Sequence, residues 1–386
     1  MRRRVAVLFG GCSVEHEISV ITALQLMEAM DTLDYDIVPV YVDQKGHWYA
    51  GKELLKREFY DGLPGCLENI TKVTLLPQPG VGGLTILKNM KVIPIDIIFL
   101  AFHGKYGEDG CVQGLIEMAD IPYTGCGVLT SAVTMNKSCC KAVLANSNIP
   151  VLPWVVIKRE ESRQSLGALL SRIKKCEGLE NFPYFIKPCN LGSSVGVGKA
   201  SDEKAFAEAL ARVFKYDTDA IVEPCIEDLM EVNISVLEGD TPQVSVVEVP
   251  VATSKVLTYE DKYLRGGKNK LGGVASDGMA GLVRDIDPEY LDAKLKESIR
   301  NYALAAFMIL ECAGVVRFDF IIDCKTNTVY FNEVNPLPGS LAYYLWEKSS
   351  PRILYTEMLD WILKRAEIRK ARVNAVHKDM EFKALR

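Results

Sequence analysis

"FNEVNPLPGS" (residues 331–340) places a carboxylate and an amide at the end of a stretch otherwise suited to burial. Side chains alternate along an extended chain, so a strand over 328–335 predicts Val329, Phe331, Glu333 and Asn335 on one face. Just upstream, "GVVRFDFIID" (314–323) repeats the period-two pattern, with Val316, Phe318 and Phe320 opposite Arg317, Asp319 and Ile321. The intervening "CKTNT" reads as a hairpin turn. Paired antiparallel, the two strands gather Arg317, Asp319, Glu333 and Asn335. Two readings fit this cluster. Hard oxygen ligands without His or Cys suit Mg²⁺, which keeps waters and binds phosphate oxygens as well. Alternatively, Arg317 and a carboxylate form a buried salt bridge. The hairpin alone does not choose between them.

The rest of the chain reads as α/β. "RVAVLFGG" is a strand ending in glycines, followed by the helix "EHEISVITALQLMEAMD" and the strand "YDIVPVYVD". An irregular Gly- and Pro-containing stretch is predicted to about residue 90. "IDIIFLAFHG" is a buried strand, since its apolar run lacks alternation, and a helix around 113–119 leads to "IPYTG". One helix over 129–147 opens a second segment with the strands "YFIKP" and "DAIVEP" and a helix near 202–215. The third segment starts at "MEVNISVLEG". It holds a Gly-rich region (252–283), a helix near 288–311, the hairpin and a last helix around 352–370. Boundaries near 128 and 227 therefore divide the chain into three units. Residues 364–386 hold eight Lys/Arg against three Asp/Glu, which reads as a solvated helical end or tail.

A chain of 386 residues has room for two or three domains. Apolar content of 48% and charged content of 25% are ordinary for a globular protein. A net charge of −5 gives no reason to expect nucleic acid as a partner. "VIPIDIIFLAF" (92–102) is interrupted by Asp96 and too short to span a bilayer. The start "MRRRVAVLFGG" carries only a strand-length apolar segment, so no signal peptide is expected. Eleven scattered cysteines without a CxxC pair suggest reduced thiols in the cytoplasm rather than zinc.

Three loops carry the polar groups that such a fold would use. In "KPCNLGSSVGVGK" (187–199), glycines and hydroxyls can expose successive N–H groups to an anion, with Lys187 adding a cation. The P-loop spacing is absent, and a simple turn explains the glycines equally well. "AFHGKYGEDGCVQG" (101–114) follows a buried strand, where open α/β sheets bind ligands. His103, Glu108 and Asp109 there are either polar contacts or turn and cap residues. "LFGGCSVEHEIS" joins a strand to a helix, with Ser13 the predicted N-cap and Glu15 in the first turn. Its Gly-Gly lacks the GxGxxG spacing of a dinucleotide site, which leaves an oxidoreductase reading weak.

Taken in order, "GGCSVEHEIS", "HGKYGEDGCVQG", "YTGCGVLTSAVTMNK", "KPCNLGSSVGV", "YEDKYL", "RFDF" and "NEVNPLPG" resemble the D-alanine–D-alanine ligase family of the ATP-grasp superfamily. The resemblance runs from about residue 4 to about 350. It implies a three-domain ATP-grasp fold with an N-terminal parallel-sheet α/β domain (1–128), a central subdomain (129–227) and a C-terminal subdomain (228–386). It also implies acyl-phosphate formation from ATP followed by peptide-bond formation, for peptidoglycan precursors, in a cytoplasmic homodimer acting on small amino acids.

Carried onto matching positions, Glu15 holds the ammonium of the first D-amino acid, in a hydrogen-bonded group with Ser193 and Tyr263. His103 lies by the substrates. Lys137, Lys187 and Ser194 meet ATP phosphates; Glu223 and Ile226 belong to the strand and linker that hold adenine; Glu231 receives the ribose hydroxyls. Pro224 in that linker offers only its carbonyl. Lys262 would close over the γ-phosphate from a mobile loop, 252–283. Asp319, Glu333 and Asn335 match the ligands of Mg²⁺ (or Mn²⁺), two ions in all. Arg317 and the Gly339 backbone would stabilise the tetrahedral intermediate.

One departure bears on the second substrate. After "PLPG" the family usually continues with Met-Thr and then, three residues beyond that Thr, a Ser that contacts the second carboxylate. Here "SLAYYLWE" puts Leu341 and Tyr344 at those positions. An inward Tyr344 would shrink or re-aim that pocket; an outward one would leave the contact to Ser340. The pair Lys262–Tyr263 resembles ligases that accept an amino acid rather than a hydroxy acid. The alternative reading is therefore an ATP-grasp ligase with another acceptor, D-Ala–D-Ser or a different carboxylate–amine pair. A catalytically silent nucleotide-binding protein is disfavoured by the retained Arg317, Asp319, Glu333 and Asn335.

Overall fold

A computed structural model describes residues 2–192, 195–251 and 284–376 of the chain. Ser193, Ser194, Lys262, Tyr263 and the segment 252–283 lie outside the described residues.

The first sheet has seven strands: β1 (Arg3–Gly10), β2 (Tyr35–Val42), β3 (Trp48–Ala50), β4 (Thr71–Leu75), β5 (Gly83–Ile86), β6 (Val92–Pro94) and β7 (Ile97–Leu100). Their order is β6-β5-β4-β3-β2-β1-β7. Only β2, β1 and β7 are parallel; β3 to β6 extend the sheet antiparallel. The sheet is thus mixed rather than parallel throughout, and its antiparallel half comes from the stretch expected to be irregular. Those strands are three to five residues long, too short to give a clear period. The Asp43 carboxylate folds the first turn by accepting the N–H groups of Lys45 (2.8 Å) and His47 (2.9 Å).

Helix α1 (His16–Ala29) buries His16, Ser19, Ala23, Leu26 and Met27 at three- and four-residue intervals, the spacing of one helical face. Ser19 is a polar pin in that face. Its Oγ donates to the Ala101 carbonyl (2.7 Å) and accepts from the Gly10 N–H (2.8 Å). It thereby fixes the ends of β1 and β7, from which two of the loops singled out above emerge.

After α2 (Cys111–Met118), the single helix expected over 129–147 is two, α3 (Val128–Met135) and α4 (Lys137–Ala145). Asn136 breaks it, with φ −89° and ψ 103°, and its side chain accepts from Cys139 N–H at 2.9 Å. The freed N–H of Lys137 donates to the Cys189 carbonyl (2.9 Å), which ties the start of α4 to the central sheet. That sheet is antiparallel, β8 (Val155–Lys158), β9 (Tyr184–Pro188), β10 (Gly198–Ala200) and β11 (Asp219–Pro224), in the order β10-β9-β11-β8. Helices α5 (Leu166–Ile173) and α6 (Glu203–Val213) cover it through Leu169, Ile173, Phe206 and Leu210.

The third sheet joins β12 (Leu229–Leu237), β13 (Gln243–Pro250), β14 (Arg284–Ile286), β15 (Val315–Asp323) and β16 (Thr328–Asn335) in the order β14-β13-β12-β15-β16. Helix α7 (Ala293–Ile309) packs Ile299, Ala303 and Phe307 against Ile234, Phe318 and Phe320 on one face. The pairing of β15 with β16 corrects the opening expectation. Asp319 faces Glu333 but Phe320 faces Phe331, so Asn332 is an extra residue, a β-bulge. Val329 and Phe331 stay in the core, while Glu333 and Asn335 emerge on the other face.

A short helix α8 (Tyr343–Trp346) precedes α9 (Tyr355–Asn374), which returns to the first sheet and packs Met358, Leu359 and Ile362 with Val5 and Leu26. The last helix therefore does not stay with the third unit. Nor are all its basic residues solvated: Arg365 and Arg369 both bind the buried Glu238, and Arg369 also donates to the Tyr123 and Gly125 carbonyls (3.1 Å each). Among the described residues no helix is long and apolar enough to cross a membrane.

Candidate active site

The open face of the third sheet carries a transverse row of polar residues. Register places Glu333 opposite Asp319, Asp319 opposite Asn233, and Asn233 opposite Glu248. Residues paired across strands share a face. Arg317, one step along, grips Asp319 in the two-point manner of a guanidinium on a carboxylate, with Nε to Oδ1 at 2.7 Å and Nη2 to Oδ2 at 2.9 Å. Burial opposes the Arg317 charge, but Asp319 outweighs it and holds the group well above its ordinary pKa. Asn335 Nδ2 adds a bond to Asp319 Oδ2 (3.0 Å). The salt bridge of the second reading therefore exists, and it lies within the metal-ligand set of the first.

That set fits a hard cation. Asp319 and Glu333 are register partners and Asn335 Nδ2 donates to Asp319, so two carboxylates and an amide side chain converge. Mg²⁺ takes few protein ligands and fills its octahedron with water and phosphate oxygens. Among the described residues no three His, Cys, Asp or Glu side chains gather as a metal group.

Beside this row lies a cleft of about 260 Å³, walled by the central and third sheets. It brings together Lys137, Lys187, Glu223, Ile226, Glu231, Asp319 and Glu333, all expected from the sequence. Lys137 Nζ donates to the Leu191 carbonyl (2.7 Å) and lies 3.3 Å from Glu333. Lys187 Nζ donates to Asn332 Oδ1 (2.9 Å), so the bulge turns both Asn332 and Glu333 toward the cleft. The Glu223 carboxylate is committed elsewhere than to a base: it sits between Lys141 (2.5 Å) and Lys187 (2.6 Å). Burial would raise its pKa, yet the two lysines hold it at about 2. Lys141 was not anticipated; its only sequence signal is its place one helical turn after Lys137.

The loops of the first sheet close the other side. Glu15 is buried at the N-cap position of α1 without a side-chain cap bond. Ser13 is not the N-cap: its hydroxyl donates to the His103 carbonyl (2.6 Å) and accepts from the Glu15 N–H (3.1 Å). Gly104, at φ +77°, is where glycine is required, since a Cβ would stand 2.7 Å from a Glu15 carboxylate oxygen. Asp109 proves to be a turn residue, accepting from Tyr106 and Cys111 N–H groups (2.8 and 3.1 Å). Glu108 does more. It accepts from Gly104 N–H (2.5 Å) and Leu337 N–H (3.2 Å), locking this loop to "NPLPG". Burial first, and the Glu15 charge second, push its pKa well up.

His103 is buried, with Nε2 2.9 Å from Thr22 Oγ1. Burial holds its pKa at about 4, against an ordinary 6.5, with Arg317 adding to the effect and a bond to the Leu337 backbone opposing it. The folded state thus refuses a proton that the unfolded state takes up between these values. Stability contributed by neutral His103 is complete above pH 6.5 and is lost as pH falls toward 4. His103→Gln should flatten this acid limb by roughly 3 kcal/mol, read from urea unfolding at pH 7, 5.5 and 4. A limb of unchanged slope would contradict the assignment.

Gly339 begins a tight turn in which Ser340, Leu341 and Ala342 all have positive φ (52°, 51° and 51°). Ser340 N–H donates to Thr22 Oγ1 (3.2 Å) and its hydroxyl to Gln25 Oε1 (2.7 Å), which engages the proton proposed to replace the family's serine. Tyr344 points inward, is buried, and donates to Glu248 Oε1 at 3.0 Å.

Models of the D-ala D-ala ligase N-terminus and C-terminus match residues 4–126 and 143–350. A D-alanine–D-alanine ligase of Thermosipho africanus is 36% identical over 356 residues, 92% of this chain and 91% of that protein. One of Ruminiclostridium cellulolyticum is 35% identical over 380 residues, 95% of each. Among solved structures, the D-alanine-D-alanine ligase of Coxiella burnetii superposes with a TM-score of 0.76 at 27% identity, covering 97% of both chains. The VanG D-Ala:D-Ser ligase of Enterococcus faecalis gives 0.77 at 27%, covering 95% of this chain and 100% of that one. With both family models, the matching relatives and the ATP-grasp architecture in agreement, the chain belongs to the D-alanine–D-alanine ligase family.

Proposed function

We propose that this chain is an ATP-dependent ligase that joins two D-alanines, releasing ADP and phosphate, for peptidoglycan precursor synthesis. One observation supports this above others: Lys137, Lys187, Asp319 and Glu333 border one cleft, with Arg317 gripping Asp319 at its edge. In this reading the ATP phosphates lie against Lys137, Lys187 and Ser194, the ribose at Glu231, and adenine along 223–226. Glu15, with Ser193 and Tyr263, orients the first amino acid by its ammonium, and His103 backs the loop beside it. A carboxylate oxygen of that substrate takes the γ-phosphoryl group and ADP leaves. The amine of the second substrate then attacks the acyl carbon, and phosphate departs. Arg317 and the Gly339 backbone meet the negative charge that grows on the acyl oxygen. Asp319, Glu333 and Asn335 would hold Mg²⁺ or Mn²⁺, two ions, which when bound neutralise phosphate charge. Lys262 would complete the phosphate contacts.

The reading includes a cytoplasmic homodimer built from units divided near residues 128 and 227; a monomeric mass in sedimentation would remove the dimer from it. Mass spectrometry of products from ATP, Mg²⁺ and a mixture of D- and L-amino acids tests the activity. D-alanyl-D-alanine with stoichiometric ADP is expected. ATP turnover without any D-alanyl dipeptide would overturn the proposal.

A further inference from the structure

Beyond β9 the chain leaves the central sheet at Cys189 and Asn190, and Asn190 is held from two sides. Its backbone N–H donates to Asp217 Oδ2 (2.6 Å) and its Nδ2 to Asp217 Oδ1 (3.1 Å). Asp217 is itself fixed just ahead of β11, where Oδ1 accepts the Thr218 N–H (2.7 Å). On the other side the Asn190 amide oxygen accepts from Asn136 Nδ2 (2.7 Å), and the Asn136 oxygen accepts the Cys139 N–H that caps α4 (2.9 Å). All three side chains are half-buried. A backbone N–H only donates and a carboxylate only accepts, so one orientation of each amide completes this chain.

Lys137 is threaded through the same contacts. Its backbone N–H donates to the Cys189 carbonyl (2.9 Å) and its Nζ to the Leu191 carbonyl (2.7 Å). The two neighbours of Asn190 therefore hold the two ends of Lys137. Both Lys137 and Leu191 line the nucleotide cleft, and Lys137 Nζ lies 3.3 Å from Glu333. A lysine stem is flexible, and ordering it costs rotamer freedom. Here that cost is met before a nucleotide arrives, by a carbonyl whose place is set from β11 through Asn190.

We propose that the relay Asp217–Asn190–Asn136 aims Lys137 at the phosphates of ATP. The proposal rests on the ligase reading above for the nucleotide that Lys137 meets. Asp217, Asn190 and Asn136 are positioning residues: none of them lines the cleft, and each acts through the carbonyls that grip Lys137. Their contribution is to nucleotide affinity and not to the amino-acid pockets.

Calorimetry with Mg²⁺ and the β,γ-imido analogue of ATP reads this without turnover. Asn136→Ser keeps a hydroxyl to cap α4 but is too short to reach Asn190. Asn190→Leu keeps the side-chain volume and the backbone bond to Asp217. Each should weaken the analogue roughly 10-fold and raise KM for ATP in step, with KM for D-alanine and the melting temperature nearly unchanged. Asn136→Asp, whose carboxylate can accept from Asn190 once that amide turns over, should retain part of the affinity. In a Lys137→Met background, Asn190→Leu should cost less than about 2-fold more, because the group it aims is gone. A merely structural role would cost the same with or without Lys137. Equal losses in both backgrounds, or wild-type affinity in Asn136→Ser and Asn190→Leu, overturn the relay while leaving the ligase reading intact. A wild-type protein that binds the analogue but forms no D-alanyl dipeptide overturns only the ligase reading; one that does not bind it overturns both.

Discussion

Glu333→Gln should lower ligase turnover by roughly 10²- to 10³-fold at saturating ATP, with a melting temperature within a few degrees of wild type. The two halves of this expectation rest on different observations. Glu333 is a cleft residue with its side chain 19% exposed, and its ion pair with Lys137 is a loose 3.3 Å. A partly exposed pair of that kind contributes about 1 kcal/mol or less. Lys137 also keeps its bond to the Leu191 carbonyl in the variant, so no buried cation is stranded. Glutamine preserves the shape beside Asp319 and the bulge at Asn332. What it removes is one of the two carboxylates able to hold Mg²⁺, so the Mg²⁺ concentration for half-maximal rate should rise together with the loss of turnover. Near-normal turnover at ordinary Mg²⁺ would show that Glu333 serves only Lys137.

How far the sequence reveals this site depends on where each contact lies along the chain. Arg317, Asp319, Glu333 and Asn335 could be brought together from one hairpin, because their partners are local and alternate. The face on which Phe331 falls could not, because a bulge adds a residue without changing composition: Asn332 looks like any polar strand position. The break at Asn136 was hidden likewise, since helical apolar spacing runs through "VTMNKSCCKAV" and only the link from Lys137 to Cys189 exposes it. Glu248 gave the same signal as Glu333, a carboxylate in an apolar strand. Its partners Asn233, Arg284 and Tyr344 are 15, 36 and 96 residues away, beyond any local pattern. Ser340, Leu341 and Ala342 offer no glycine or asparagine to announce their left-handed turn. Such a conformation costs about 1–2 kcal/mol per residue, and bonds to Thr22 and Gln25, more than 300 residues earlier, help to hold it.

Glu223→Gln is expected to be the costliest single change to stability, about 3–5 kcal/mol at pH 7. Lys141 and Glu223 are each 1% exposed at the side chain, so removing the carboxylate strands the Lys141 cation in a dry interior, while Lys187, 9% exposed, loses its ion pair. The pH dependence carries a sign. The Glu223 carboxyl is held at about 2 in the folded protein, against an ordinary 4.5. Its contribution is therefore complete above about pH 4.5 and is lost as pH falls toward 2. The gap between wild type and variant, measured by urea unfolding, should be widest near neutrality and narrow in acid. Adding Lys141→Met should restore much of the loss, because an apolar side chain in place of a buried charge leaves less to compensate. The variant should also weaken ATP binding, since Lys187 is held toward the cleft by Glu223 and Asn332 together and would keep only the second bond. A neutral-pH gap below about 1 kcal/mol, or one that widens in acid, would mean that the lysines find other compensation and that Glu223 does not organise the nucleotide end of the site.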